Sequence, residues 1–200
     1  AFVCRLREAL NAEGKPVVAA LAPKTGAQQR GLLYEAHDYA LLSKAANAVF
    51  LMTYEWGYTY GEPQAIAPLP QVRAVLDYAL SVTAGENIFL GAPLYAYDWP
   101  LPYEKGRTRA ETFSSQAAVA RARLAGAEIE FDETARSPYY HYFDKMRREH
   151  VVWFEDARSL RAKIALAAEK GLQGIGFWQA GRELAQAWPL LDALVTLETL

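Results

Sequence analysis

Short apolar runs alternate with amphipathic stretches along most of the chain. Phe2, Val3, Leu6 and Leu10 recur at helical spacing, and the polar stretch from Asn11 to Gly14 stops that helix. Val17 to Ala22 is a short apolar run closed by Pro23, the pattern of a strand buried on both faces. Tyr34 to Ala46 reads as helix and Val49 to Tyr54 as a second buried strand. Leu69 to Val82 is an amphipathic helix with Pro70 in its first turn. Asn87 to Gly91 supplies a third strand, Arg158 to Lys170 a helix closed by Gly171, and Gly174 to Trp178 a fourth strand. A helix from about Glu183 to Leu194, broken near Pro189, ends the series.

Apolar strands alternating with helices predict a parallel sheet in an α/β fold. The strand starts at 17, 49, 87 and 174 are separated by 32, 38 and 87 residues. The first two intervals each fit one βα unit; the third carries roughly 45 extra residues, about Tyr103 to His150. Within it Ser114 to Leu124 has helical periodicity, and Glu128 to Phe131 and Tyr139 to Phe143 have strand character. A small α+β insertion is therefore expected at 103–150, packed on a parent domain made of 1–102 and 151–200.

Composition narrows the function classes. A chain of 200 residues is one ordinary domain or part of a larger one. Its 21 Lys and Arg against 23 Asp and Glu leave a formal charge of −2, so no partner nucleic acid or anionic membrane is expected. The single Cys4 excludes an internal disulfide framework and a multi-thiolate metal site. His37, His141 and His150 have no zinc-ligand spacing, so no metal is expected. No Gly-rich phosphate loop, GxGxxG or GxSxG follows any strand, and no cofactor is expected. No apolar run approaches the ~20 residues of a membrane helix. The first residues form neither a basic n-region nor an h-region, so no signal peptide is expected in this chain. The aromatic count stands out, with 5 Trp, 12 Tyr and 8 Phe, several of them in loop-like sequence.

Three aromatic segments leave the carboxyl ends of strands, where α/β folds place their ligands. Met52-Thr53-Tyr54-Glu55-Trp56-Gly57-Tyr58-Thr59-Tyr60-Gly61 places five large side chains at alternate positions, which share a face wherever the segment is extended. Gly91 to Trp99 follows the third strand with Tyr95, Tyr97, Asp98 and Trp99; read without partners it is a rigid turn with a hydrophobic plug. Gly174-Ile175-Gly176-Phe177-Trp178-Gln179 delivers a Trp to the same rim. Each segment alone is as compatible with a core cluster as with a ligand platform. Together, rings with hydroxyl and indole donors suit an uncharged ring-shaped or polymeric ligand such as a sugar.

On these residues the chain resembles the carboxyl-terminal half of a glycoside hydrolase family 18 catalytic domain. Within that family it is most similar to bacterial spore peptidoglycan hydrolases of the N-acetylglucosaminidase type. The family's Met-x-Tyr-Asp on barrel strand six is similar to Met52-Thr53-Tyr54-Glu55, with Glu in place of Asp, and the spore branch's Met-Thr-Tyr-Glu-Trp-Gly-Tyr run is present whole. Gly-x-Pro-x-Tyr-Gly-x-x-Trp on strand seven is similar to Gly91 through Trp99, with Ala96 in place of the second Gly. The strand-eight Trp corresponds to Trp178, and Val151 to Trp178 follows the family's order of an aromatic, an acidic pair, Ser-Leu and Lys.

The resemblance implies a partial (β/α)8 TIM barrel, strands five to eight with their helices, and an α+β insertion between strands seven and eight. It implies an extracellular parent protein at the spore or cell wall, acting on an N-acetylglucosamine-containing polysaccharide by a substrate-assisted, retaining mechanism. Tyr54 is the implied catalytic residue of this chain, holding the substrate's acetamido group. Glu55 would bind the sugar, Trp178 would stack beneath its ring, and Trp56 and Trp99 would line the cleft. Met52 would pack under the site, and Tyr95 and Asp98 complete the implied substrate-binding set.

The family's Asp-x-x-Asp-x-Asp-x-Glu signature, whose Glu is the general acid, is not in these 200 residues. The seven aspartates, at 38, 77, 98, 132, 144, 156 and 192, include no two within five residues of each other. Matching Val17 to Ala22 with strand five places the signature just before Ala1. Glu55, Glu155 and Asp156 match positions that do not protonate the leaving group. The chain alone is expected to be inactive and to form a homo-oligomer through exposed sheet edges. The alternative is a non-catalytic, lectin-like sugar-binding module of the same fold; a third reading makes the aromatics core residues of an α/β interaction domain.

Overall fold

The computed structural model describes residues 1–179, 181–182 and 184–196. Helices α1 (Phe2–Asn11), α2 (Tyr39–Ala45) and α3 (Leu69–Val82) alternate with strands β1 (Val18–Leu21), β2 (Ala48–Leu51) and β3 (Ile88–Pro93). There follow β4 (Tyr95–Pro100), β5 (Glu111–Ser114), α4 (Ser115–Ala125), β6 (Glu130–Asp132), β7 (Ser137–Phe143) and β8 (Glu149–Trp153). Helix α5 (Ala157–Glu169), β9 (Gly174–Trp178) and α6 (Ala187–Leu194) complete the order. Two sheets result: a parallel one in the order β1-β2-β3-β9, and an antiparallel one in the order β5-β4-β8-β7-β6.

Local chemistry sets the helix boundaries. Asp38 caps α2 by accepting from the Leu41 N–H at 2.9 Å, so the helix starts at Tyr39, while the predicted segment 34–37 forms turns. Ser114 caps α4, which ends on left-handed Gly126. Asp156 and Ser159 form a reciprocal capping box at the start of α5. Pro189 lies in the first turn of α6, where its missing N–H costs nothing, so it does not break the helix. The start predicted at Glu183 lies outside the described residues.

The parallel sheet is two-faced. Val49, Leu51, Ile88 and Leu90 are buried in a core shared with Val72, Val75 and Leu76 of α3 and Leu160 of α5. On the opposite face Phe50 projects across its neighbours. An added Cβ would meet the Phe50 ring at 2.6 Å from Gly176, and from Gly91 it would meet the Leu51 carbonyl oxygen at 2.4 Å and the same ring at 2.8 Å, so glycine is required on both β3 and β9. This second face is uncovered among the described residues. Val18 is 42% exposed, and a cavity of about 550 Å³ is lined by Val18, Ala20, Phe50, Met52, Tyr54, Phe177 and Trp178. The expectation that β1 is buried on both faces is therefore corrected, since helices flank one side only.

The antiparallel sheet runs from Tyr95 to Trp153, beyond both ends of the 103–150 segment expected as an insertion. Gly91 to Trp99 is not a turn with a plug. It contains the end of β3 and most of β4, which pairs with both β5 and β8 and is buried on both faces. One face of β4 joins the main core through Tyr95, Tyr97 and Trp99; the other joins a second cluster through Ala96, with Ala118, Ala122, Tyr140, Val152 and Phe154.

Candidate functional site

The site grows from the loop that follows β2. Thr53 is fully buried, and its hydroxyl donates to the Gly91 carbonyl at 2.6 Å, tying the loop to β3. Glu55 takes a left-handed backbone (φ 73°), which ends any extended run. The five alternate aromatic and Met positions therefore do not share one face. Met52 and Tyr54 line the uncovered cavity, Trp56 points to a second one, and Tyr58 and Tyr60 are exposed further along the loop. The Trp56 and Gly57 N–H groups donate to Ile66 and Ala65 carbonyls at 3.1 and 3.0 Å. Gly57 is required there, because a Cβ would lie 2.2 Å from the Gln64 carbonyl oxygen.

The second cavity, about 740 Å³, is walled by the loop after β1 (Pro23, Thr25, Gly26, Gln28, Gln29, Leu33, Tyr34) and by Met52, Tyr54, Glu55 and Trp56. Met52 and Tyr54 thus border both cavities. Trp178, at the end of β9, is 52% exposed and offers its indole to the uncovered face.

Glu55 is the polar centre. Tyr95 donates its hydroxyl to Glu55 Oε1, and Tyr97 donates to the same carboxylate at 3.0 and 3.1 Å from Oε1 and Oε2. Tyr54 and Tyr95 meet edge-on at 6.4 Å between ring centroids, and Tyr95 and Tyr97 at 5.6 Å. Burial, reinforced by the nearby Glu55 charge, pushes the Tyr54 hydroxyl up to about 12. Burial likewise pushes Tyr97 up to about 12 and raises Tyr95 further. At neutral pH all three are proton donors, two of them aimed at one carboxylate. Such an arrangement can hold the hydroxyl and amide groups of a sugar and stack its ring.

Two sequence-predicted residues are not brought here. Trp99 is fully buried, with its Nε1 donating to the Gly61 carbonyl at 2.9 Å, so it does not line the cleft. Asp98 is 2% exposed and faces the other side of β4. There it accepts from Tyr142 at 2.7 Å, from His150 Nδ1 at 2.7 Å and from Arg121, on the side of the strand away from Glu55. Strand alternation explains the Asp98 correction, and burial under the loop that carries Gly61 explains that of Trp99. Tyr95, Tyr97 and Trp99 share one face and Asp98 takes the opposite one. The same alternation brings in Tyr97, which the sequence reading placed in this aromatic segment without a binding role. The residues of the loop after β1 were also missed, although their position beyond a strand's carboxyl end was the available signal.

The sequence pattern of glycosyl hydrolases family 18 matches residues 1–183. The chain belongs to glycosyl hydrolase family 18. Among its family 18 relatives is a cortical fragment-lytic enzyme of Bacillus subtilis, 46% identical over 96% of this chain and 44% of the relative. The crystal structure of the Bacillus cereus spore cortex-lytic enzyme SleL is 40% identical and superimposes with a TM-score of 0.92 over 98% of this chain and 45% of that one. A chitinase structure from Chromobacterium violaceum follows at 25% identity and a TM-score of 0.86, covering 96% of this chain and 59% of that one. The chain thus spans under half the length of its cortex-lytic relatives. Its fold neighbours are family 18 proteins of the TIM-barrel type. No helix among the described residues is long and apolar enough to cross a membrane.

Proposed function

We propose that this chain is the carboxyl-terminal part of a family 18 glycosidase barrel, supplying strands five to eight, with the antiparallel segment Tyr95 to Trp153 as an α+β insertion before the last strand. The parent enzyme cleaves glycans containing N-acetylglucosamine, either peptidoglycan of the spore cortex or cell wall or a chitin-like polymer, outside the cell. The reaction is substrate-assisted and retaining: the acetamido oxygen attacks the anomeric carbon as the glycosidic bond breaks, and a carboxylic acid on strand four protonates the leaving oxygen. Water then opens the cyclic intermediate with the anomeric configuration retained.

In this reading the Tyr54 hydroxyl donates to the acetamido group and holds it for attack. Glu55, steadied by Tyr95 and Tyr97, accepts from sugar hydroxyls, Trp178 stacks under the ring, Trp56 edges the mouth and Met52 packs beneath. The observation that carries the reading is the position of Tyr54, protonated and shared by the two cavities. In the complete protein, Tyr54→Phe is expected to lower turnover of an N-acetylglucosamine oligomer roughly 10²-fold, the usual cost of one lost oxyanion-type donor; unchanged turnover overturns the assignment. Without the strand-four acid, this chain alone is inactive, and release of N-acetylglucosamine by it would refute that. Its outer strands β1 and β9 and uncovered face favour self-association, against which a monodisperse monomer in light scattering would count.

A further inference from the structure

Cations gather where two loops of the antiparallel sheet meet. The loop after β4 carries Lys105, Arg107 and Arg109, and the turn between β7 and β8 carries Lys145, Arg147 and Arg148, all exposed. The Leu101 N–H donates to the Glu149 carbonyl at 2.8 Å and holds the loops side by side. Of these six cations, Arg107 alone makes an ion pair among the described residues, with Glu104 at 3.1 Å. The other local carboxylates are engaged elsewhere: Asp144 accepts from the N–H groups of Met146 and Arg148, each at 2.8 Å, and Glu149 lies 3.0 Å from His141 Nδ1. Between the loops lies a cavity of about 550 Å³ with Arg107, Arg109 and Arg148 in its wall.

This cluster is laced to the sugar site. The Ala110 N–H donates to the Thr59 carbonyl at 2.7 Å, and Tyr103 donates its hydroxyl to the Tyr60 carbonyl at 3.1 Å. The Arg109 guanidinium lies 5.9 Å from the Tyr60 ring. Both partners sit on the loop that begins with Glu55. Six cations stand beside three acids, Glu104, Asp144 and Glu149, so the patch carries a local positive excess in a chain of net charge −2. A neutral sugar polymer makes no use of such a patch; a carboxylate, matched by guanidinium forks, does.

We propose that the notch between these loops is an anion subsite for a carboxylate substituent carried by the glycan, of the kind a peptide stem supplies on peptidoglycan. The inference rests on the glycosidase reading and narrows its substrate to an acidic, peptide-bearing glycan. The test compares kcat/KM of the complete protein on peptide-bearing peptidoglycan fragments and on a chitin oligosaccharide, for wild type and for Arg107→Ala, Arg109→Ala and Arg148→Ala combined. Preference for the acidic substrate is expected to fall roughly tenfold in the triple variant, as for a few exposed charge contacts. It should also fall with added salt and be only partly kept when the three become Lys, which retains the charge but not the fork. An unchanged preference in the alanine variant overturns the subsite while the glycosidase reading stands. A wild-type protein that cleaves neither substrate overturns the reading, and the subsite with it.

Discussion

Glu55 and Asp98 are both held by groups on the antiparallel sheet, but β4 puts them in opposite settings. Glu55 is exposed and receives only tyrosine hydroxyls, from Tyr95 and Tyr97 on one face of the strand. Asp98, on the other face, is sealed at 2% exposure and receives a guanidinium, an imidazole and a phenol. Arg121 also bridges Asp98 to Glu111 on β5, 2.8 Å away. Neutral donors orient a carboxylate without neutralising it, whereas cations fix it and use up its charge. One acid can therefore still answer a ligand, and the other is a clamp between β4, α4 and the β7–β8 hairpin.

Alkali should break both settings at once and produce the largest effect. Unfolded tyrosines ionise near 10, but Tyr54 and Tyr97 stay protonated until about 12, and Tyr142 beside Asp98 is raised as well. Across that window the unfolded chain binds fewer protons, so stability is full below about pH 10 and falls as pH rises toward 12. Urea midpoints measured between pH 9 and 12 check this. Asp98→Ala separates the two sides: Arg121 and His150 lose a buried partner, and about 3 kcal/mol should be lost in urea denaturation. A stable Asp98→Ala protein would make Asp98 no clamp. Tyr97→Phe removes one of two donors to Glu55 and should cost about 1 kcal/mol in the same assay. Glu55→Gln should lie within about 0.5 kcal/mol of wild type, because the side chain is exposed. Its effect belongs in glycan turnover of the complete protein, and a large stability loss would erase the contrast with Asp98.

The parallel strands were readable because their neighbours are simple. Val49 and Leu51, Ile88 and Leu90, and Ile175 each face helices, so apolar runs bounded by Gly and Pro mark them. Helix α3 was legible end to end, since Pro70 and the Val72, Val75, Leu76, Ala79 stripe mark its start and buried side. β4 was not, because both faces of Tyr95–Pro100 are buried against different clusters and polar Asp98 interrupts the run. β5 and β8 owe their strand state to pairing with β4, a long-range cause that no local pattern carries. In the candidate site, the places of Tyr54, Glu55, Trp56 and Trp178 at or beyond strand ends were legible from the sequence. The left-handed turn at Glu55, which scatters the later aromatics, was not.

Phe50 carries a consequence for how the sequence can change. Its ring occupies room left by glycines on two other strands, Gly91 and Gly176, so three positions 41 to 126 residues apart in the chain share one volume. A methyl gained at 176 is expected to be harmful beside Phe50 and tolerated beside a smaller residue. Single substitutions there would then misreport each site, and only the double-mutant cycle would read the coupling. Sequences that drift at 50 should drift at 176 as well, whereas Gly91 stays fixed by the Leu51 carbonyl, 2.4 Å from an added Cβ.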